Sequence, residues 1–212
     1  LVGGTGDGGK VSVNGTVYED ADVYAFVKNN GGKVAVYKEN LYKPMPGYRF
    51  IASNTDRSRY YVGELNGRSS KQAYMDALHI SESNIINQTF HNPLGKMNGQ
   101  DICIISLKEV SGNGLCCYRQ VNDSDVLVLL EEQDYNEILD ETLQRIRRDF
   151  KHISGVFSIN CVFRYLLFSQ EHHMEDYLKT MSTLGDHAGL IGFGEHYNQQ
   201  FVNQTMTCVV FE

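Results

Sequence analysis

The alternation of apolar and polar positions divides the chain into short strands with a few helices between them. Val11–Tyr18 alternates with a period of two and contains Asn14-Gly15, a dipeptide typical of a tight β-hairpin turn. Further strands are predicted at Asp22–Lys28, Lys33–Tyr37, Tyr48–Ala52, Ser58–Val62, Asp101–Leu107, Leu115–Val121, Val126–Leu130, Gly155–Cys161, Ala188–Gly192 and Phe201–Phe211. Pro44 and Pro46 are expected to break the chain before the run that starts at Tyr48.

Helical spacing of apolar residues is clearest over Tyr135–Lys151, which follows the capping pair Asp134 and Glu137. The other predicted helices are Lys71–Leu78, Phe163–Ser169 and Glu171–Ser182. Residues 84–100 are polar and rich in turn formers, so we expect a loop there. Strands with interspersed helices, rather than a regular βαβ series, predict an α+β fold with largely antiparallel or mixed sheets flanked by a few helices.

The first ten residues contain two patterns found in nucleotide-binding loops. Gly4, Gly6 and Gly9 fit G-x-G-x-x-G, and the segment from Gly4 to Lys10 fits G-x-x-x-x-G-K. Both motifs require a helix directly after the glycines, so that its N-terminus faces the phosphate. Val11 starts a strand-like run instead. We therefore reject a nucleotide site and predict a glycine-rich loop.

Charge and composition restrict the partners. The 212 residues carry 26 acidic and 19 basic side chains, for a formal net charge of −7. Nucleic-acid binders usually have a basic surplus, so nucleic acid is not expected as a partner. No apolar run approaches the roughly 18 residues needed to span a bilayer, so no membrane contact is predicted. The five cysteines form no C-x-x-C pair, which favours a reducing, cytoplasmic setting.

The strand-to-helix junction at Cys161 and Arg164 is a candidate ligand site. Backbone N–H groups at the start of a helix attract an anion, and Arg164 could grip a carboxylate through two hydrogen bonds. A thiol at such a helix start is expected to have a lowered pKa. The alternative is structural, with Cys161 buried in the strand and Arg164 exposed on the helix.

A second candidate is the loop that contains Gly192, Gly194 and Glu195. Glycines allow the backbone to approach a small molecule closely. Glu195 could receive the ammonium of an amino-acid-like ligand while Arg164 binds its carboxylate. Asn203 shares a face of the last predicted strand with the residue two positions later and is included in the candidate site. The alternative is a plain turn with a surface carboxylate.

Several motifs resemble the FIST sensory domain, in chain order. Val2–Asp7 resembles the glycine turn late in the N-terminal half of that family. Gly63–Ser69 resembles the start of its C-terminal half, and Phe157–Arg164 resembles its strand that ends in Cys-x-x-Arg. Ile191–Asn198 resembles its Gly-x-Gly-Glu loop, and Phe201–Phe211 resembles its closing Asn-x-Thr strand.

The resemblance implies a division into residues 1–56, the end of the N-terminal half, and residues 57–212, the C-terminal half. It implies a cytoplasmic, non-enzymatic sensory module that binds a small molecule, with an amino acid favoured as ligand. Its output would pass through a signalling domain or partner protein outside this sequence. Val202 stands where many members carry His, so no role is assumed for that position.

Two alternatives remain open. One is a cysteine-nucleophile enzyme in which Cys161 would use His187 or His196 as its base. The other is a haem-linked gas sensor, because the resemblance extends to haem-linked sensors, and the same two histidines are then the suspected ligands. No metal site is predicted otherwise, since the adjacent His172 and His173 would point about 100° apart on a helix.

Overall fold

The chain forms short strands, arranged in several sheets, with helices between them. The structure is a computed structural model that describes residues 1–99 and 101–212, apart from the side chain of Asp7. Its elements are β1 (Val2–Gly4), β2 (Lys10–Val13), β3 (Thr16–Glu19), β4 (Val34–Asn40), β5 (Tyr42–Asp56), β6 (Tyr61–Leu65), β7 (Arg68–Ser69), α1 (Ser70–Leu78), α2 (Ile85–Gln88), β8 (Leu94–Asn98), β9 (Asp101–Ile105), β10 (Leu107–Ser111), β11 (Gly114–Cys117), β12 (Val126–Glu132), α3 (Tyr135–Asp149), β13 (Gly155–Cys161), α4 (Val162–Gln170), α5 (Met174–Met181), β14 (His187–Gly192), β15 (Glu195–Tyr197), β16 (Gln200–Val202) and β17 (Thr205–Phe211). Helices make up 25% and strands 44% of the chain, in mostly antiparallel or mixed sheets, which confirms the predicted α+β fold.

The chain forms two compact units, and the first is assembled from both ends of the sequence. That first unit comprises Leu1–Asn40 and Asp134–Glu212, and the second comprises Leu41–Gln133. The division predicted from the sequence, 1–56 and 57–212, instead cuts between β5 and β6, which pair with each other inside the second unit. The compact units and the two family halves are therefore different divisions, and the boundary of the halves stays a prediction.

The first unit is built on a four-stranded sheet with the order β14-β13-β17-β4. β13 runs parallel to β14, while β17 is antiparallel to both β13 and β4. The connection between the two parallel strands passes through α4 and α5. A smaller antiparallel sheet contains β1, β15 and β16, and β2 pairs with β3 in a hairpin.

The strand register determines which side chains share a face of the four-stranded sheet. Asn160 and Glu39 both lie opposite the same residue of β17, so they share a face. We call it the helix face, because Asn160 donates a hydrogen bond to Tyr177 of α5. Ile159 lies on the opposite face, where a Cβ added to Gly4 of β1 would be only 3.0 Å from its Cγ2. We call this second side the β1 face.

The clearest predicted helix is confirmed, and α3 ends at Asp149 rather than at the predicted Lys151. The Asp134 carboxylate accepts the backbone N–H groups of Asn136 and Glu137 at 2.9 and 3.0 Å, which satisfies donors left unpaired in the first turn. The apolar stripe buries Leu139, Thr142, Leu143 and Ile146. Within residues 1–99 and 101–212, no helix is both long and apolar enough to cross a membrane.

The second unit is a larger sheet with the strand order β10-β11-β6-β5-β12-β8-β9, and β7 pairs with β6. Its core combines residues from both ends of this sheet with the inward side of α1 and α2. The core comprises Phe50, Ala52, Val62, Leu65, Ala73, Tyr74, Ile85, Leu94, Ile105, Leu107, Leu115, Cys117, Val121, Leu127 and Leu129.

The prediction of a chain break at Pro44 and Pro46 is wrong, because β5 runs through both residues. This part of β5 pairs with β12 along one side, and its pairing with β6 begins only at Ala52. Over residues 42–51 the other edge has no partner strand among the described residues. Proline is accepted there because its missing N–H removes no hydrogen bond from that edge.

Two further local predictions are wrong. Asp22–Lys28 forms no strand, and Phe26 is 94% exposed, because within the part of the chain that the structure describes no strand pairs with this segment. Residues 84–100 contain α2 and β8 instead of a loop. Gly95 lies in this segment, and a Cβ at this position would be 2.9 Å from Leu130, so the glycine allows close packing between β8 and β12.

The hairpin predicted after the glycine-rich start is present, whereas Val2–Gly4 of the predicted loop forms β1. β2 and β3 follow the glycines, and Asn14 and Gly15 at the hairpin turn have φ values of 51° and 80°. Both values are typical of the turn that joins two-residue hairpins. The segment therefore lacks the helix that a phosphate-binding loop requires.

Replacing the capping residue tests the account of α3. Asp134→Ala removes the acceptor for two backbone N–H groups and should lower the free energy of unfolding by about 1 kcal/mol. Asp140→Ala is the matched control, because Asp140 is exposed in the middle of the same helix. Urea denaturation of both variants gives the comparison, and equal stabilities would contradict the capping role.

Candidate functional site

The candidate residues from the sequence come together where the two parallel strands end. Cys161 is the last residue of β13, and its register partner is Gly192, the last residue of β14. α4 begins at Val162, directly after Cys161. In open sheets with parallel strands, ligands bind beyond the carboxyl ends of the strands. The topology therefore places the candidate site at the edge where binding sites are found in such sheets.

The two loop glycines are closely packed against the protein itself. A Cβ at Gly192 would be 3.2 Å from the Gly194 carbonyl oxygen and 3.4 Å from the Cα of Gly4. Gly194 has a φ of +112°, and a Cβ there would be 2.5 Å from the Phe201 ring and 3.2 Å from Asn203 Oδ1. The close approach expected at these glycines is thus present, but the groups that approach them are other residues of the protein and not a ligand.

Glu195 is a fully buried carboxylate. Its Oε2 accepts hydrogen bonds from the backbone N–H and the hydroxyl of Thr205, at 3.3 and 2.8 Å. Burial raises the pKa of Glu195 to about 7, although hydrogen bonds from Thr205 and Cys161 act in the opposite direction. Oε1 makes no hydrogen bond within the part of the chain that the structure describes. The alternative of a surface carboxylate is therefore wrong.

Cys161 does not have the lowered pKa expected for a thiol at a helix start. Burial, followed by the nearby charge of Glu195, raises the pKa of Cys161 to about 12. The backbone N–H groups of Phe163 and Gln204 lower it, but their effect is smaller. At neutral pH the sulfur is therefore a protonated thiol. The prediction of a lowered pKa is wrong, because burial raises the pKa of Cys161 more than the backbone N–H groups lower it.

Arg164 is buried and paired with a residue that the sequence analysis did not select. Its guanidinium donates to Glu39 of β4, and both side chains are almost completely inaccessible. The guanidinium also lies over the rings of Phe168 and Tyr177, at 4.7 and 5.4 Å from their centroids. Nε and Nη1 make no hydrogen bond among the described residues. The carboxylate that Arg164 binds in this structure is therefore that of Glu39, and the alternative of an exposed Arg164 is wrong.

Asn203 completes the group on the β1 face. It precedes β17, and its Oδ1 points towards Gly194, while Nδ2 is buried without a hydrogen-bond partner in the described ranges. Five of the candidate residues are therefore neighbours: Cys161, Gly192, Gly194, Glu195 and Asn203. The sixth is Arg164, whose guanidinium is paired on the helix face instead.

The polar residues that the sequence analysis missed lie in strands that otherwise read as apolar. Asn160 is buried and donates to the Tyr177 hydroxyl at 3.0 Å. Ser158 lies 2.9 Å from the Nε2 atom of His187. The available signal was the presence of serine and asparagine inside the β-branched and aromatic run of β13. Glu39 gave no such signal, because its partner is 125 residues away.

The two histidines suspected as haem ligands each adjoin a small cavity. His187 adjoins a cavity of about 240 Å³ and His196 one of about 270 Å³. Cofactor pockets usually measure about 300–1,000 Å³. The described residues contain no group of three or more His, Cys, Asp or Glu side chains placed to hold a metal ion.

A comparison with protein families identifies the family to which the chain belongs. Residues 71–198, more than half of the sequence, match the FIST C domain. The chain belongs to the FIST C domain family. Comparisons with curated proteins and with solved structures returned no match. The family predicted from the sequence motifs is thus confirmed, and with it the assignment to a family of sensory domains.

The family match covers most of the candidate site of this FIST C domain. It begins in α1 and ends just after β15, so it includes Cys161, Arg164 and Glu195. Asn203 and Glu39 lie outside the matched segment, although one adjoins Gly194 and the other pairs with the buried arginine. Residues on either side of the matched region therefore also contribute: Glu39 from β4, and Asn203 from the bend between β16 and β17.

The raised pKa of Glu195 predicts a specific pH dependence of stability. The folded protein has a pKa of about 7 at this group, against an ordinary value of 4.5. Because the folded state binds the proton more tightly, the stabilisation is complete below pH 4.5 and is lost as the pH rises to 7. Relative to Glu195→Gln, the unmodified protein should lose about 3 kcal/mol across this interval.

Denaturation of both proteins at a series of pH values measures this difference in free energy of unfolding. The exposed Glu175→Gln serves as control and should follow the unmodified protein. A stability difference between Glu195→Gln and the unmodified protein that does not change with pH would contradict the assignment.

The chemistry of Cys161 can be tested by alkylation. With a pKa of about 12 against an ordinary 9.0, the thiolate fraction at pH 8 should be about a thousandfold smaller than in the unfolded chain. Iodoacetamide labelling, followed by mass spectrometry of each cysteine peptide, should show slow labelling of Cys161 in the folded protein and fast labelling in denaturant. The partly buried Cys103 is the internal control. Fast labelling of folded Cys161 at pH 7 would instead support the cysteine-nucleophile alternative.

Proposed function

We propose that this FIST C domain chain is a cytoplasmic, non-enzymatic sensory module whose ligand is an amino acid. The observation that carries the proposal is a pair of buried polar atoms with opposite hydrogen-bonding character. Glu195 Oε1 is an acceptor and Asn203 Nδ2 is a donor, and neither has a partner among the described residues. Buried polar groups in proteins are almost always paired, so such atoms indicate a bound molecule or water.

An amino acid has the complementary groups. Its ammonium would bind Glu195 Oε1, and one oxygen of its carboxylate would accept a hydrogen bond from Asn203 Nδ2. Both residues adjoin Gly194, and both lie on the β1 face. This assignment replaces Arg164 as the carboxylate partner, because the charge of Arg164 is already neutralised by Glu39.

Ligand entry requires the glycine loop to move, since Glu195 and Asn203 are both buried. Two backbone hydrogen bonds connect this loop to Thr5. The N–H of Phe193 donates to the Thr5 carbonyl at 2.8 Å, and the Thr5 N–H donates to the Gly194 carbonyl at 3.0 Å. A ligand that binds the open and closed arrangements with different affinities would shift their populations, and that shift is the signal.

A binding role is favoured over catalysis by the state of Cys161. Burial raises the pKa of its thiol to about 12, so the thiolate needed for nucleophilic attack is scarce at neutral pH. Of the two histidines considered as its base, His187 is bonded to Ser158 through Nε2. The output would then pass to a signalling domain or partner protein that responds to the position of the glycine loop.

A thermal-shift screen against the twenty amino acids tests this proposal. A ligand present at 100 times its dissociation constant should stabilise the folded state by about 2.7 kcal/mol. Because Glu195 must be ionised to bind ammonium, affinity should rise about tenfold between pH 6 and pH 8. Asn203→Ala should weaken binding, whereas the exposed Asn136→Ala should not.

The outcome is decided by the two site variants. If an amino acid binds with equal affinity to Glu195→Gln and to the unmodified protein, the ammonium contact is wrong. If no amino acid stabilises the protein at pH 8, the ligand class is wrong. Arg164→Ala is unsuitable for this purpose, because it leaves Glu39 as an unpaired buried charge and would destabilise the fold by about 3–5 kcal/mol.

A further inference from the structure

A separate cavity lies on the helix face, between the parallel strand pair and the helices that connect it. Its volume is about 240 Å³, and its lining includes Ser158 and Asn160 of β13, Tyr177 of α5 and His187 of β14. Glu195 and Asn203 do not line it. An apolar cavity of about 150 Å³ can admit benzene, so this cavity has room for a ring with a substituent.

The floor of the cavity carries uncharged hydrogen-bonding groups at fixed positions. Ser158 Oγ lies 2.9 Å from His187 Nε2, and Asn160 Nδ2 donates to the Tyr177 hydroxyl at 3.0 Å. Ser158, Asn160 and Tyr177 are each more than nine-tenths buried. Burial lowers the pKa of His187, so its ring is neutral at physiological pH. Each of these groups can donate or accept a hydrogen bond.

The floor of the cavity is accessible because a glycine, which has no side chain, lies beside it. Gly189 of β14 is the register partner of Ser158, and a Cβ there would be 2.6 Å from Ser158 Oγ. The walls and rim are apolar and include Leu178 and Ile191, which are 47% and 43% exposed. The described lining contains no Asp, Glu, Lys or Arg. A charged ligand would therefore lose its hydration without gaining a counter-charge.

We propose that this cavity is a second ligand site, which binds an uncharged aromatic molecule carrying one amide or hydroxyl group. The ring would pack against Leu178 and Ile191, and its polar substituent would reach the Ser158 and Tyr177 hydroxyls. The site is independent of the amino-acid site, because the two lie on opposite faces of β13. The cavity adjoins the buried ion pair, because the ring of Tyr177, which lines the cavity, lies 5.4 Å from the Arg164 guanidinium.

Benzamide and benzoate form the matched pair of probes, because they have the same shape and differ in charge. Titration of each into the full chain, followed by NMR, should show benzamide binding with a dissociation constant on the order of 1 mM. Benzoate should bind at least about tenfold more weakly. The His187 ring signals should shift with benzamide, and those of His196 should not. Absence of benzamide binding at about 10 mM, or equal binding of benzoate, would overturn the proposal.

Two tryptophan variants locate the site. Leu178→Trp places a bulky ring at the rim and should reduce benzamide affinity about tenfold or more. Leu166→Trp is the control, because Leu166 is a similarly exposed leucine, at 38%, outside the lining. Circular dichroism verifies that both variants are folded. Unchanged affinity in Leu178→Trp would refute the location, and benzamide binding by Asn203→Ala should persist whether or not the amino-acid proposal holds.

Discussion

The first unit depends on a buried ion pair that joins segments far apart in the chain. Removing a guanidinium and a carboxylate from water costs several kcal/mol per ion, and only their close pairing offsets this cost. Arg164 and Glu39 are 125 residues apart, so their contact fixes α4 against β4. The aromatic rings of Phe168 and Tyr177 cover the guanidinium and exclude water from it. With α4 fixed, Cys161 at its start is held at the end of β13.

One strand then supplies two chemically different environments. Successive side chains of a strand point to opposite faces, so Asn160 and Cys161, although adjacent, belong to different networks. On the helix face, Asn160 belongs to the uncharged groups that border a cavity, and the charges of Arg164 and Glu39 on that face are paired with each other. On the β1 face the carboxylate of Glu195 is buried with a pKa of about 7. The sheet therefore separates a site suited to uncharged molecules from one suited to a zwitterion.

Local patterns explain what could be predicted from the sequence. The cap at Asp134 and the turn at Asn14 are formed by neighbours in the chain, so both could be inferred from short motifs. The glycine loop at Gly194 was identified, but the side chains that pack on it, Phe201 and Asn203, come from β16 and the bend after it. The partner of Arg164 could not be inferred, because Glu39 is 125 residues away in the sequence and no motif around either residue indicates the pairing. The low thiol reactivity of Cys161 likewise follows from burial, which only the tertiary structure determines.

The composition of the first unit from both ends of the sequence has a consequence for biosynthesis. The second unit has all its residues once Gln133 has been made, whereas β4 must wait for Thr205–Phe211, the strand that pairs with it. A nascent β4 therefore remains without its neighbour while more than half of the chain is translated. Unpaired strands promote aggregation, and charged side chains reduce that risk. Lys38 and Glu39 supply such charges, so Glu39 would protect the growing chain before it pairs with Arg164.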